Sequence, residues 1–120
     1  LGDVYKRQED LPVISPEMKL GEAVIHVSRG RLGLCVAEKD GRVVGIITDG
    51  DVRRAMETSQ DSFFQLSVAD IMSVHPKSVT ADTKITQIEK ILQDNKIHSV
   101  LVTDEDNHLL GIVDSFSTML

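Results

Sequence analysis

The residues with the most distinctive chemistry lie in a short run at positions 45–56, with the sequence GIITDGDVRRAM. An apolar stretch that predicts a strand ends at Thr48, and Asp51 follows three positions later, where a helix is expected to begin. A threonine and an acidic residue at this spacing form a capping box, in which each side chain bonds the other residue's backbone N–H. Ser67 and Asp70 repeat the pattern further along the chain. On the pattern alone, helix capping is favoured over ligand binding.

Other reactive side chains in the chain do not form a catalytic pattern. Cys35 is the only thiol and lies between apolar residues of a predicted strand, so we expect it to be a small core residue. Asp49 and Asp51 alternate as in some cation-binding loops, but the remaining ligands of a calcium loop are missing. The HExxH, paired-cysteine and nucleophile-elbow motifs are also missing from the sequence. We therefore expect no catalytic residue and no metal site in this chain.

A weaker copy of the first run returns at residues 111–120, which begin 66 positions after residue 45. The same spacing relates residues 13–24 to 79–90, and residues 32–45 to 98–111. A fixed period of this length predicts two similar structural units.

Each unit is expected to contain a strand, a helix, two strands and a final helix, in that order. Turns at residues 39–42 and 104–107 join the paired strands, and the final helices begin near Thr48 and Asp114. This order indicates an α/β (α+β) fold in which helices cover one face of small sheets. The first helix of each unit has apolar residues at helical spacing, namely Leu20, Ala23, Val24 and Val27, then Ile85, Ile88, Ile91 and Leu92.

We predict the domain limits from the same alignment of the two repeats. The opening octapeptide fits neither repeat, and Phe63 and Phe64 are expected to pack a connector against the core. The limits are residues 1–8 for a linker or a segment foreign to the module, 9–60 for the first repeat, 61–67 for the connector and 68–120 for the second repeat.

Two motifs, G-h-h-T-x-x-D at residues 45–51 (h, apolar) and VADIMSVHP at 68–76, resemble the cystathionine β-synthase (CBS) domain. That domain occurs as tandem pairs, and the resemblance covers residues 9–120. It implies two repeats related by pseudo-twofold symmetry, with a cleft between them. The run TDGDVRRAM looks most similar to the C-terminal module of bacterial D-arabinose-5-phosphate isomerases. The sugar-isomerase domain of that family is absent from these 120 residues.

The resemblance adds a binding role to the capping role at the first motif. In CBS pairs that bind nucleotides, the threonine and aspartate of this motif commonly hold phosphate and ribose, which implies these roles for Thr48 and Asp51. A hydroxyl and free N–H groups at a helix start favour an anion, and a carboxylate can accept hydrogen bonds from two ribose hydroxyls. Gly50 would allow close approach of the backbone. In the second repeat Asp114 and Ser117 replace these residues, which predicts a degenerate half-site and one ligand per pair.

Basic residues are candidates for a second acidic group of the ligand. Arg53 and Arg54 occupy adjacent helical positions and diverge by about 100°, so both cannot face one ligand atom, and Arg53 is the candidate of the two. Arg31 and Lys96 precede the central strands at corresponding places, and His98 follows Lys96. These three could meet near the pseudo-twofold axis, although each taken singly is more often a surface charge.

Composition and charge limit the classes of partner. The net charge is 13 − 19 = −6 without a basic run, which argues against nucleic-acid binding. The chain is 41% hydrophobic but only 3% aromatic, which predicts a core of aliphatic residues. The apolar runs are shorter than the roughly 18 residues of a membrane span. A single cysteine and the lack of a signal peptide favour the cytoplasm.

The resemblance implies a regulatory module of an isomerase that interconverts ribulose 5-phosphate and arabinose 5-phosphate, on the route to the lipopolysaccharide sugar Kdo. The expected effector is CMP-Kdo, or alternatively AMP or ATP, and no cofactor is required. The expected assembly is a homodimer of CBS pairs, within a tetramer when the isomerase domain is attached. The alternative function is a module that binds no nucleotide and only supports dimerisation.

Overall fold

The computed structural model describes residues 3–6, 11–30 and 32–114, which form two compact units. The first unit is Pro12–His75, and the second is formed by the described parts of residues 1–11 and 76–120. In chain order the elements are β1 (Asp3–Lys6), β2 (Val13–Ile14), α1 (Leu20–Arg29), β3 (Leu34–Lys39), β4 (Arg42–Thr48), α2 (Asp49–Ser59), a 3-10 helix (Gln60–Gln65), α3 (Val68–Ile71), β5 (Ser78–Val79), α4 (Ile85–Asn95), β6 (Ser99–Thr103) and β7 (Leu109–Asp114).

The two units share one strand–helix–strand–strand order, which confirms the predicted fold class and the order of these four elements. In the first unit β2 runs parallel to β3, and β3 pairs antiparallel with β4, giving the order β2-β3-β4. In the second unit β5, β6 and β7 repeat these pairings. A helix connects the parallel strands in each unit, as a parallel connection requires. Both hairpins also shift register near their turns, between Ala37 and Glu38 and between Val102 and Thr103.

The helix faces pack as their apolar spacing predicts, with one exception. In α1, Leu20, Ala23 and Val27 are buried against the aliphatic side of the first sheet. In α4, Ile88 and Leu92 are buried, whereas Ile85 is exposed in the first turn. Leu20 holds the same first position in α1 and is fully buried, so the helix period alone does not decide whether a first-turn residue reaches the core.

The predicted turns also form. Asp40 and Gly41 both have positive φ angles, 54° and 79°, in the two-residue connection between β3 and β4. This conformation matches a primed turn, whose twist suits a hairpin. Between β6 and β7, the carboxylate of Asp104 accepts hydrogen bonds from the backbone N–H groups of Asp106 and His108.

The structure places the boundary between the units differently from the repeat alignment. We expected a connector at residues 61–67 and a second repeat from residue 68. The compact first unit includes the 3-10 helix and α3 and extends to His75. Phe63 and Val68 are buried in its core, while Phe64 is exposed, so only one of the two phenylalanines is buried as predicted.

The predictions for the two ends of the chain differ in outcome: the one for the first residues is corrected, and the one for the final helix is not tested. Residues 1–8 were expected to be a linker or foreign segment, but Asp3–Lys6 forms β1 and pairs antiparallel with β7. The second sheet therefore has four strands, in the order β1-β7-β6-β5. The final helix predicted to begin near Asp114 lies at residues 115–120, outside the described residues.

Candidate functional site

The centre of the candidate site is the capping box between β4 and α2. Thr48 is the N-cap of α2, and its Oγ1 accepts a hydrogen bond from the Asp51 N–H at 3.2 Å. The Asp51 Oδ2 accepts in return from the Thr48 N–H at 3.0 Å. Two N–H groups at the start of the helix are thereby satisfied. The capping role predicted from the sequence is confirmed.

The second oxygen of Asp51 is bound by a side chain that sequence reasoning did not assign to the site. Arg54 donates from its Nη2 to the Asp51 Oδ1 at 2.6 Å, one turn along α2. The Asp51 side chain is 16% exposed and that of Arg54 is 68% exposed. The i, i+3 spacing of opposite charges on a helix is the sequence signal for this pair. This spacing relates Asp51 to Arg54 and not to Arg53, which was the arginine selected from the sequence. Arg53 is exposed on the same helix.

Gly50 takes part in this arrangement. A Cβ atom built on Gly50 would lie 3.2 Å from the Arg54 Nη1. The guanidinium group therefore extends back along α2 and lies against the backbone of Gly50. The close approach that was expected at this glycine is made, in the structure, by a side chain of the protein itself.

The preceding loop supports the start of α2. The carbonyl oxygen of Gly33 accepts a hydrogen bond from the Asp49 N–H at 3.0 Å. Gly33 has a φ angle of 67°, a conformation that favours glycine. Cys35 is fully buried two residues later, as predicted, and burial, with a smaller effect from the charge of Asp49, raises the pKa of its thiol to about 11. The thiol is therefore protonated at neutral pH and is a packing group.

The equivalent place in the second unit has different chemistry. Asp114 ends β7 as Thr48 ends β4, and its side chain is buried. The Ser99 hydroxyl donates a hydrogen bond to the Asp114 Oδ1 at 3.5 Å. A buried carboxylate at this point does not suit a phosphate, because like charges repel. Ser117, the residue that replaces the motif aspartate, lies outside the described residues.

Two of the remaining basic candidates, Lys96 and His98, belong to the second unit. Lys96 is the left-handed C-cap of α4, with a φ angle of 54°, and its side chain is exposed. His98 is also exposed, just before β6. Arg31 lies outside the described residues, so the predicted meeting of these three side chains stays a prediction.

The second capping motif shows what this pattern does elsewhere in the chain. The Asp70 Oδ2 accepts hydrogen bonds from the Ser67 N–H at 2.8 Å and from the Ser67 hydroxyl at 3.2 Å. Both residues lie at the start of the four-residue helix α3. Asp70 and Asp51 thus make the same bond to the backbone, and among the described residues only Asp51 is also paired with an arginine.

No cluster of three or more His, Cys, Asp or Glu side chains within the described ranges could hold a metal ion. None of the described helices combines the length and the apolar character needed to cross a bilayer.

The repeated strand and helix order, together with the motif at Thr48 and Asp51, defines the class of protein. The family profile of the CBS domain matches residues 1–58 and 68–116. These two matches cover most of the chain, which therefore belongs to the CBS-domain family and carries two such repeats.

Curated relatives show where similar pairs occur. The chain is 34% identical over 113 residues to the arabinose 5-phosphate isomerase KdsD of Pseudomonas aeruginosa, covering 93% of this chain and 34% of that protein. It is 31% identical over 107 residues to a probable arabinose 5-phosphate isomerase of Haemophilus influenzae, covering 89% of this chain and 32% of that protein. The chain thus spans about a third of the length of these relatives.

Solved structures share the fold. The CBSX2 protein in complex with AMP has a TM-score of 0.82 and 22% identity, over 97% of this chain and 89% of that one. The CBS pair of protein MJ0100, in complex with 5′-methylthioadenosine and S-adenosyl-L-methionine, has a TM-score of 0.78 and 19% identity, over 91% and 88% of the two chains. At these identities the likeness concerns the fold.

Proposed function

We propose that this chain is the nucleotide-sensing CBS pair of a protein similar to the arabinose 5-phosphate isomerases. In this proposal Thr48 and the first turn of α2 hold a phosphate, and Asp51 holds the ribose. The observation that carries the proposal is the Thr48–Asp51 box, which puts a hydroxyl and a carboxylate at the start of an eleven-residue helix. Bound ligand would stabilise one arrangement of the protein and so regulate it.

The ribose is the part of the ligand that the comparisons favour most. AMP, 5′-methylthioadenosine and S-adenosyl-L-methionine, the ligands in the two similar structures, share an adenosine group with two vicinal hydroxyls. Only AMP among these three carries a phosphate. CMP-Kdo also has a ribose with both hydroxyls, and we propose it as the effector because it lies downstream of arabinose 5-phosphate. AMP or ATP is the alternative effector.

The basic candidates have a secondary role in this proposal. CMP-Kdo carries a sugar carboxylate in addition to its phosphate, and a phosphate or carboxylate is best recognised by cationic donors. Arg31, Arg53, Lys96 and His98 are the proposed donors for that second acidic group.

A thermal-shift titration tests the binding site. A ligand that binds only the folded protein, at a hundredfold excess over its Kd, stabilises by about 2.7 kcal/mol. For a domain of this size that raises the Tm by on the order of 10 °C. CMP-Kdo, CMP, AMP, ATP and adenosine should be compared. We expect a shift with at least one ribonucleotide, and a smaller shift with its 2′-deoxy analogue.

Asp70 provides a matched control for Asp51. Asp51→Ala and Asp70→Ala each remove a carboxylate that accepts from a backbone N–H at a helix start, at a cost of about 1 kcal/mol. We expect Asp51→Ala to abolish the nucleotide shift and Asp70→Ala to retain it. Equal protection of both variants would mean that Asp51 is only a cap.

The catalytic assignment is tested separately. The isomerase activity is proposed for the longer protein, and this 120-residue chain is proposed to regulate it without catalysing the reaction. Isomerisation requires a general base placed beside the sugar. Turnover of arabinose 5-phosphate by the purified chain would refute this division of roles.

A dimerisation module is the second candidate function, and exposed apolar side chains favour it. Ile25 on α1 and Met56 on α2 are both exposed in the first unit. Burial of such residues in a homodimer would remove apolar surface from water. Sedimentation at micromolar concentrations should give a dimer that Met56→Glu weakens. A dimer that binds none of the nucleotides would make assembly the function of this chain.

A further inference from the structure

The ion pair between Arg54 and Asp51 occupies the carboxylate that is proposed to bind the ribose. The capping box commits the Asp51 Oδ2 to the Thr48 N–H, at 3.0 Å. The oxygen left for a ligand is Oδ1, and Arg54 holds it at 2.6 Å. The Asp51 side chain is 16% exposed and that of Arg54 is 68% exposed, so the guanidinium is the partner with ready access to solvent.

We infer that Arg54 is an exchangeable gate of the nucleotide site, an assignment that rests on the function proposed above. In the free protein the guanidinium is paired with Asp51. On binding, the ribose hydroxyls replace it at Oδ1, and the released guanidinium pairs with the phosphate of the same nucleotide. Arg54 thereby selects phosphorylated nucleosides over those without a phosphate.

The strength of the ion pair suits an exchange of this kind. Ion pairs with an exposed partner contribute little net stability, because water and salt screen them. Displacing Arg54 should therefore reduce the affinity for an incoming ribose by only about 1.5-fold to 5-fold. A guanidinium bound to a phosphate makes a charge-assisted hydrogen bond, which corresponds to about a tenfold or larger gain in affinity. The exchange is thus favourable only when the ligand carries a phosphate.

The position of the guanidinium is consistent with both contacts. Its Nη1 lies over Gly50, 3.2 Å from where a Cβ would be, while its Nη2 bonds Asp51. Gly50 and Asp51 belong to the first turn of α2, where the phosphate is proposed to lie. The guanidinium therefore already lies beside the backbone at which the phosphate is proposed to bind.

Calorimetry with paired ligands tests the gate. The parent chain, Arg54→Gln and Arg29→Gln should be titrated with adenosine and AMP, and with cytidine and CMP. Arg29 is exposed on α1 in the same unit, so its variant controls for the loss of one positive charge. For Arg54→Gln we expect nucleoside affinity to rise by up to about fivefold and nucleotide affinity to fall by about tenfold. Arg29→Gln should keep the ratio of the parent chain.

Three outcomes would contradict the inference, and they separate it from the proposed function. If the parent chain binds none of the four ligands, and CMP-Kdo and ATP also give no thermal shift, the nucleotide site and the gate both fail. If the parent binds AMP or CMP and Arg54→Gln keeps the same ratio of nucleotide to nucleoside affinity, only the gate fails. Loss of phosphate selection in Arg53→Gln instead of Arg54→Gln would assign the phosphate to the other arginine.

Discussion

Gly45 and Met72 lie in direct contact across the edge of the first sheet. A Cβ built on Gly45 would be 2.7 Å from the Met72 Sδ and 2.7 Å from the Ser73 carbonyl oxygen. Next to this contact, the backbones of Ile46 and Ser73 exchange two hydrogen bonds, at 2.9 and 2.8 Å. The motif glycine therefore lets the segment after α3 cover β4, which would otherwise be a bare edge strand.

The first prediction concerns this contact. Gly45→Ala should destabilise the protein by about 1–3 kcal/mol, because the new methyl group meets a backbone oxygen that cannot move without breaking the bridge to Ile46. Gly50→Ala is the matched control, since its methyl group would meet only the flexible end of Arg54. It should be neutral or stabilising by up to about 1 kcal/mol in a helix. Urea unfolding of both variants measures the difference, and equal losses would contradict the prediction.

The second prediction compares two neighbouring phenylalanines. Phe63 is 2% exposed and Phe64 is 71% exposed, although their rings meet edge to face at 5.3 Å. Phe63→Ala should cost about 3–5 kcal/mol, as expected for a cavity in a packed core. Phe64→Ala should cost about 0.5–1.5 kcal/mol, mainly from the lost ring contact. Urea unfolding measures both values. If the free energy of unfolding depends equally on urea concentration in the two variants, their midpoints can be compared directly.

The third prediction concerns the thiol of Cys35. Because burial raises its pKa from 9.0 to about 11, the folded protein binds the thiol proton more tightly than the unfolded chain does. Its contribution to stability is therefore complete below pH 9 and declines as the pH rises towards 11. The stability of the parent chain should fall relative to Cys35→Ala across that range.

A disulfide reagent gives an independent measurement on the same residue. At pH 8 Cys35 should react slowly in the folded protein and rapidly in guanidinium chloride, because only the thiolate reacts and the side chain is buried. Rapid reaction without denaturant would show that the strand around Cys35 opens readily.

The fourth prediction concerns the acid stability of the β6–β7 turn. The backbone N–H of His108, bonded to Asp104 at 2.9 Å, is the main cause that lowers the pKa of that carboxyl below 3.8. The charged form therefore stabilises the fold above pH 3.8, and this contribution is lost as the pH falls below that value. The difference in stability between the parent chain and Asp104→Asn should shrink between pH 6 and pH 3. A difference that stays constant across this range would contradict the prediction.

Much of the fold could be predicted from the sequence because its signals are local and occur twice. The apolar spacing of α1, the turn at Asp40 and Gly41 and the cap at Thr48 each depend on residues close in sequence. The limit of the first unit could not be predicted in this way. It depends on contacts between Gly45 and the segment around Met72, which are distant in sequence.

The candidate site could be predicted only where its signals are local in the sequence. The box at Thr48 and Asp51 is a local pattern, whereas the preference for Arg53 over Arg54 required knowing which direction each side chain takes from the helix. The i, i+3 rule favours Arg54 when it is applied to Asp51. The meeting of Arg31 with Lys96 and His98 is a long-range expectation and stays a prediction.

The bridge between Ile46 and Ser73 determines where this chain can be joined to a related one in a chimeric protein. The sequence repeat changes at residue 68, but the fragment that carries its own sheet cover ends at His75, eight residues past position 67 (75 − 67). A chimera joined at the repeat boundary would receive β4 from one parent and its cover from the other. Exchange of residues 12–75 would transfer the first unit intact and would leave β1 with its partner strand β7, so the limits of the compact unit differ from those of the sequence repeat.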